Sequence, residues 1–272
     1  MTLKFTILGC GSSGGVPRPA LGWGVCDPMN PKNRRRRTSL LVERFGDGGI
    51  TRVLVDTSPD LREQLLDASV DRLDGVLYTH DHADHVHGID DLRGYFIKQR
   101  QLIDVYLAAS TAKVVRERFG YCFETPPGSE YPPIVRERRF AAGAAIVVTG
   151  QGGPIEALPL LQEHGDTPSF GFRFGKLAYS CDVSGLPAET VAALADLDVW
   201  IVDALRYRPH PSHFSLDDAL RWIERLKPRR AVLTNLHSDL DYDVVRKAVP
   251  SHVEPAYDGM TLELADPGTA TS

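Results

Sequence analysis

Short apolar runs, each closed by Gly, Pro, Asn or Asp, recur along the whole chain. That pattern predicts many strands separated by turns. In the first half it places strands over Lys4–Leu8, Thr38–Glu43, Arg52–Asp56, Asp74–Thr79 and Ile103–Ala108, with helices over Leu61–Ala68 and Thr111–Phe119. In the second half the strands are Ala144–Thr149, Glu156–Gln162, Phe170–Phe174, Lys176–Ser180, Val199–Asp203, Ala231–Thr234 and Thr261–Leu264. Helices are expected over Ala188–Ala195, Leu216–Leu226 and Val244–Ala248. In the second of these, Leu216, Ala219, Leu220, Ile223 and Leu226 share one face at the 3.6-residue period. Strands in both halves with helices between them, and no linker or short repeat, predict an α/β fold. Its layers are two sheets packed face to face with helices outside, in one continuous domain over residues 1–272.

Residues 17–32, rich in Pro and Gly, are expected to be loop. Cys122–Ile134 is Pro-rich and carries Phe123 and Tyr131, the composition of a lid or an insertion. The run Gly9-Cys-Gly-Ser-Ser-Gly-Gly-Val-Pro17 is either a loop whose amides converge on an anion or a tight turn with close backbone approach. The four arginines Arg34–Arg37 lead straight into a strand, so alternate side chains should leave on opposite faces. Arg35 and Arg37 are taken as the candidates to bind substrate.

Composition narrows the class. With 272 residues, 42% of them hydrophobic and 25% charged, the chain is ordinary globular protein, large enough for a sizeable core. A net charge of −5 argues against a broad basic surface for nucleic acid. The four cysteines form no CxxC pair, so no disulfide framework or Cys-rich zinc site is indicated, and a reducing cytoplasm is expected. The N-terminus has the pattern of a strand, not of a signal peptide, and no window approaches the ~20 apolar residues of a membrane span.

The chemistry concentrates in Thr79-His-Asp-His-Ala-Asp-His85, just after an apolar strand. Imidazole and carboxylate are the ligands of borderline divalent metals such as zinc. His80 and His82 share one side, with Asp84 and His85 offset from them, an arrangement that suits two ions. His87 lies beyond the cluster and is not expected to ligate. His210 and His252 are expected at the surface.

His80-Asp-His-Ala-Asp-His85 resembles the His-x-His-x-Asp-His run that marks the metallo-β-lactamase superfamily, and the chain goes on to supply Glu163-His164-Gly165, Ser180-Cys-Asp182 and Asn235-Leu-His237 in order. The resemblance implies an αββα sandwich of two packed mixed sheets with helices outside. It implies that His80, His82 and His164 hold one divalent ion, that Asp84, His85 and His237 hold a second, and that Asp182 bridges them. The ions are expected to be Zn2+ or Mn2+. Leu8–Pro17, Asn33–Val42, Asp90-Asp-Leu-Arg93, Ser212-His-Phe-Ser215 and Asp258-Gly-Met260 are similar to the PhnP-type phosphodiesterases of the carbon–phosphorus lyase pathway, themselves related to tRNA 3′-end-processing ribonucleases. That implies small, cyclic phosphodiester substrates such as phosphoribosyl 1,2-cyclic phosphate or 2′,3′-cyclic nucleotides, attacked by a metal-activated hydroxide. One departure stands out. The loop that carries a Cys-rich structural zinc in that group has only Cys26 here, so no structural zinc is expected.

Asp84 would hold the nucleophile as well as ligating metal. His213 is the expected general acid, and Ser212 the expected substrate contact beside it, ahead of a helix capped by Ser215. Asp56 either orients a ligand histidine or starts a helix. The expected partners are a small phosphodiester or nucleotide-like substrate, with no membrane and no extended nucleic acid; homodimer formation is left open. Two other readings stand beside this one. One is hydrolysis of a carboxyl substrate (a lactone or thioester). The other is a non-catalytic metal- or nucleotide-binding scaffold, which the complete ligand set opposes.

Overall fold

The computed structural model describes residues 2–265; Met1 and residues 266–272 of the expected domain lie outside the described residues. Fourteen strands among the described residues form two sheets of seven. The first is built from β1 (Thr2–Gly9), β2 (Ser39–Gly46), β3 (Gly49–Val55), β4 (Gly75–Leu77), β5 (Ile103–Leu107) and β6 (Val135–Arg139). The second holds β7 (Ile146–Val148), β8 (Ile155–Gln162), β9 (Ser169–Phe174), β10 (Leu177–Ser180), β11 (Val199–Asp203), β12 (Arg230–Thr234) and β13 (Val253–Pro255). The last strand, β14 (Met260–Ala265), returns to the first sheet and pairs antiparallel with β1. The orders are β14-β1-β2-β3-β4-β5-β6 and β13-β12-β11-β10-β9-β8-β7. Each sheet mixes antiparallel and parallel pairs.

The central strands are apolar on both faces because both faces are covered. Val53 and Val55 meet Phe5, Phe172, Tyr179 and Ile201 between the sheets, while Leu54 faces outward onto Leu61, Leu65 and Val115. In the second sheet Ile201 points inward, and Trp200 and Val202 pack outward against Ala219 and Ile223. The outer layers come from helices α1 (Leu61–Asp67), α2 (Ala83–Val86), α3 (Arg93–Gln99) and α4 (Ala109–Phe123) on the first sheet. Helices α5 (Ala188–Ala193), α6 (Leu216–Leu226) and α7 (Tyr242–Ala248) cover the second. This is the αββα sandwich. Ser215 caps α6 with a capping box, its hydroxyl accepting from the Asp218 amide.

Three expectations change. Cys122 and Phe123 belong to α4 rather than to a loop, because both pack into the outer apolar layer. The proposed lid therefore shrinks to residues 124–134, where Tyr131 is exposed. Strands β6 and β13 carry too few apolar residues to be read from pattern, and β6 is a charged edge strand. The third change is a pair of short helical segments, α2 and α3, after the histidine run.

The pairs β3·β4, β4·β5, β10·β11 and β11·β12 are parallel, so their carboxyl ends lie on one edge of each sheet. The loops leaving β3, β4, β8, β10 and β12 carry Asp56, His80–His85, His164, Asp182 and His237, and Asp203 ends β11. Outside the carboxyl ends of parallel strands is where open α/β sheets place their ligands.

Candidate metal centre

The histidine run leaves β4 extended and turns into α2 at Ala83, which throws His80, His82, Asp84 and His85 toward the mouth between the sheets. Asp182 arrives from β10, and its two carboxylate oxygens face two groups of imidazoles. Oδ2 lies 3.6 Å from His80 Nε2 and 3.4 Å from His164 Nε2. Oδ1 lies 3.4 Å from His85 Nε2, which is also 3.4 Å from Asp84 Oδ2. His82 joins the first group through Nδ1, 3.2 Å from His164 Nε2. Donor atoms of His80, His82, His164 and Asp182 all lie within 4.8 Å of one another.

The rings are anchored from behind. His80 Nδ1 meets Thr79 Oγ1 at 3.0 Å, His85 Nδ1 meets Asp56 Oδ2 at 2.7 Å, and His164 Nδ1 meets the Ser212 carbonyl at 2.5 Å. A carbonyl or carboxylate accepts a hydrogen bond from Nδ1–H, so the lone pair that His85 and His164 offer a metal is the one on Nε2, facing the cluster. Gly165, at φ +58°, turns the chain there, and a Cβ on it would stand 2.9 Å from the Ser212 Cβ. Asp56 sits at φ +62°, which Asp tolerates better than most residues. It accepts from the Thr79 amide and hydroxyl, both at 2.8 Å, as well as from His85. Asp56, His85 and Cys181 also lie close together, but burial pushes the Cys181 thiol well above its ordinary value, and Asp56 is spent on its three donors. That trio supports a ligand; it does not form a second site.

A divalent cation fits these residues. His80 Nε2 and His85 Nε2 are fully buried with no hydrogen-bond partner, a costly state that a metal bond relieves. Burial, then the charge of His85, holds His80 well below the ordinary histidine range, and burial lowers His164 too. Neutral imidazole is the form that ligates. Burial resists ionisation of Asp182, but the surrounding imidazoles, His85 foremost, hold its carboxyl well below the usual range. The cluster is therefore a divalent-metal site.

His213 stands beside it, its Nε2 3.9 Å from Asp182 Oδ2 and its Nδ1 2.8 Å from Asp203 Oδ2. Burial disfavours the charged imidazole, yet the Asp203 carboxylate outweighs it and pushes His213 up to about 9. Asp203 itself, fully buried, is pushed up to about 7 by desolvation.

Several expected residues sit elsewhere. Arg35 is a correction: it is buried, with its guanidinium donating to the Leu240 carbonyl at 2.7 Å, to the His237 carbonyl at 3.3 Å and to Asn33 Oδ1 at 3.2 Å. It ties the loop of Cys26 to the segment after His237, helped by Asn33 Nδ2 donating to Asp241 Oδ2 at 2.7 Å. Arg37 also leaves the site and pairs with Asp60 at 3.1 Å. Ser212 acts through its carbonyl on His164, and its hydroxyl meets His210 Nδ1 at 3.1 Å. His237 lines the cleft with Asp84 and Asp182, but its Nε2 is 2.6 Å from an Arg18 guanidinium nitrogen and its Nδ1 2.9 Å from Asp239 Oδ1. His87 packs on Phe119 away from the cluster. His210, expected at the surface, lines the cleft. Sequence reasoning also missed Asp203, although it ends the apolar run Val199–Asp203 as Asp56 ends Arg52–Asp56. Arg18 and Arg206 gave no signal at all, and Asn235 entered only as a neighbour of His237.

The cleft has a volume of about 220 Å³. A larger cavity of about 390 Å³ lies over the outer face of β1 and β2, lined by Lys4, Arg36, Asp67 and Asp258. It holds no imidazole, so the chemistry belongs to the smaller cleft.

The family model described as "Beta-lactamase superfamily domain" matches residues 51–235. A solved structure titled as a new diphosphatase from the PhnP family shares 34% identity, with a TM-score of 0.87, over 97% of this chain and 98% of that one. An octanoyltransferase of Porphyromonas gingivalis is 32% identical over 271 residues, 98% of this chain and 52% of that protein. A ribonuclease Z of Bradyrhizobium diazoefficiens is 35% identical over 150 residues, 53% of this chain and 46% of that protein. The chain thus spans about half the length of these two curated relatives. No helix among the described residues is long and apolar enough to cross a membrane. Fold, ligand cluster and kinship agree: the chain belongs to the beta-lactamase superfamily, as a metal-dependent hydrolase of the PhnP type related to ribonuclease Z.

Proposed function

We propose that the chain is a phosphodiesterase for small, cyclic phosphodiesters and that its cluster holds two divalent ions, zinc or manganese. The observation that carries this reading is His213, whose Nδ1 is held on the buried Asp203 carboxylate at 2.8 Å and whose Nε2 faces Asp182 of the cluster at 3.9 Å, with Asp203 favouring the charged imidazole. Hydrolysis of a phosphodiester expels an alkoxide that needs a proton, and a positioned acid supplies it. The similarity to a PhnP-family diphosphatase and to ribonuclease Z supports the same choice, since both names denote cleavage at phosphorus. The octanoyltransferase name denotes acyl transfer, but it covers a protein twice the length of the match.

His80, His82 and His164 would hold one ion and Asp84, His85 and His237 the other, with Asp182 between them. Bound there, divalent ions supply Lewis acidity toward the phosphoryl oxygens and lower the pKa of a water. Asp84, whose ionisation burial opposes and His85 favours, stays anionic and accepts a hydrogen bond from the attacking water. His213 keeps Nδ1–H on Asp203 and gives its Nε2 proton to the leaving oxygen. A cleft of about 220 Å³ suits a substrate of nucleotide size.

A panel of cyclic diesters, linear diesters, lactones and thioesters, ranked by kcat/KM on metal-loaded protein, tests the assignment. Cyclic diesters should lead, and faster turnover of a lactone or thioester would overturn it. His213→Ala should slow diesters with poor leaving groups by on the order of 10²–10⁴ and a nitrophenyl diester far less. Equal slowing of both would remove His213 from the role of acid.

A further inference from the structure

Ser212 holds two histidines in opposite senses. Its carbonyl accepts from His164 Nδ1 at 2.5 Å. Its amide lies 3.3 Å from His210 Nδ1, and its hydroxyl 3.1 Å from the same nitrogen. A backbone amide can only donate, so His210 Nδ1 accepts and the ring proton of His210 sits on Nε2. A second proton, on Nδ1, would face the amide N–H, so the ring stays neutral. Burial, then the charges of His213 and Arg206, disfavour the charged imidazole as well. His210 Nε2 has no hydrogen-bond partner among the described residues, and the ring lines the metal cleft.

The loop is built to present this ring. Pro209 and Pro211 flank His210, which fixes φ on either side of it and confines His210 itself to extended backbone. Arg206 donates to the carbonyls of Arg208 and Pro209 at 3.1 and 2.9 Å and so braces the approach. Metal binding does not account for the arrangement, because His210 is not among the donors gathered around Asp182.

We propose that His210 is a further catalytic residue, whose Nε2–H donates to a non-bridging oxygen of the phosphoryl group while His213 protonates the leaving oxygen. This rests on the phosphodiesterase reading and adds a residue to it. The ring centres of His210 and His213 are 5.1 Å apart, which lets the two rings reach neighbouring oxygens of one phosphorus. Their proton inventories divide the work. His213, kept charged by Asp203, gives its proton away. His210, kept neutral by Ser212, retains its proton throughout and lends only a hydrogen bond to the charge that gathers on oxygen.

His210→Ala should cut kcat/KM by on the order of 10–100-fold. The factor should be the same for a 2′,3′-cyclic nucleotide and a nitrophenyl diester, with metal content unchanged. A loss confined to the poor leaving group would make His210 an acid, and no loss would leave it outside the reaction; either result overturns the proposal. Nitrogen NMR of histidine-labelled, zinc-loaded protein reads the tautomer without turnover. The signals lost in His210→Ala should be those of a ring that is neutral at pH 7 with its proton on Nε2, and a proton on Nδ1 overturns the proposal. Calorimetry with inorganic phosphate on the zinc-loaded proteins should show roughly tenfold weaker binding to His210→Ala. If no phosphodiester is hydrolysed, the phosphodiesterase reading fails, and the phosphate measurement alone decides whether His210 contacts a phosphoryl group. Equal affinity in both proteins then refutes the contact.

Discussion

Replacing Asp203 with Asn should move the alkaline limb of the pH–rate profile, because Asp203 is what keeps His213 charged. The imidazole and carboxylate are 2.8 Å apart, Asp203 is fully buried, and the His213 side chain is 14% exposed. Two charges centred about 4 Å apart at an effective dielectric near 20 attract by roughly 4 kcal/mol. That corresponds to about three pKa units, at about 1.36 kcal/mol each. Burial of the imidazole opposes part of it, and the outcome is a histidine raised from 6.5 to about 9. The sign follows from the role. An acid works in its protonated form, so activity holds below the His213 pKa and falls as pH rises through about 9. Between about 7, where Asp203 ionises, and about 9, the pair is a carboxylate with an imidazolium. Asn keeps the shape and removes the charge, so the limb should fall to about 6.5 or lower. At pH 8 the protonated fraction then drops from about nine-tenths to a few hundredths, a loss of roughly 30-fold for a poor leaving group. The assay is kcat/KM against pH for a 2′,3′-cyclic nucleotide and for a nitrophenyl diester, with metal content measured in parallel. An alkaline limb that stays in place in Asp203→Asn, with full metal content, would refute the reasoning. So would an equal shift on the nitrophenyl substrate.

The other expectations test residues whose parts the structure separates. Asp56→Asn keeps a residue that tolerates φ +62°, but it replaces one accepting oxygen with an NH2 that faces either the Thr79 amide or both the Thr79 hydroxyl and His85 Nδ1. Metal affinity in a chelator competition should weaken by on the order of 10–100-fold, and unchanged affinity would deny Asp56 its hold on His85. Arg35→Met removes a buried guanidinium from the carbonyls of Leu240 and His237. It should cost about 3 kcal/mol and lower Tm by roughly 5–10 °C, while kcat/KM falls less than about tenfold. A large loss of kcat/KM at constant Tm would return Arg35 to substrate binding.

The fold and the metal cluster were legible in the sequence to different depths, for physical reasons. The two-sheet architecture was readable because strands such as Val53–Val55 and Trp200–Val202 are covered on both faces and so appear as unbroken apolar runs. A charged edge strand such as Val135–Arg139 has no buried face to announce it. The clustering of His80 to His85 was readable because one turn supplies all of these side chains. His164 and Asp182 come from separate strands of the other sheet, and only their order along the chain, set beside a known family, connected them.

The arginines show where pattern reasoning fails. Alternation holds in a ladder, but Arg35 and Arg37 precede β2 and make only isolated bridges, to Val16 and Gly11. Their directions are set by the loops on either side. Arg35 is drawn into the clasp between the Cys26 loop and residues 237–241, and Arg37 onto Asp60. The cationic groups that do reach the cleft, Arg18 and Arg206, stand in loops: the Arg18 guanidinium lies against Gly14, where a Cβ would meet it, and Arg206 donates to the Arg208 and Pro209 carbonyls. Metal ligands must converge within a few ångströms, so they sit on strand ends and leave a spacing to read. Side chains that line the rest of the cleft need only reach it, so loops can carry them, and a loop leaves no period in the sequence. The cationic lining of this cleft is therefore written where local pattern is weakest, and it had to be read from geometry.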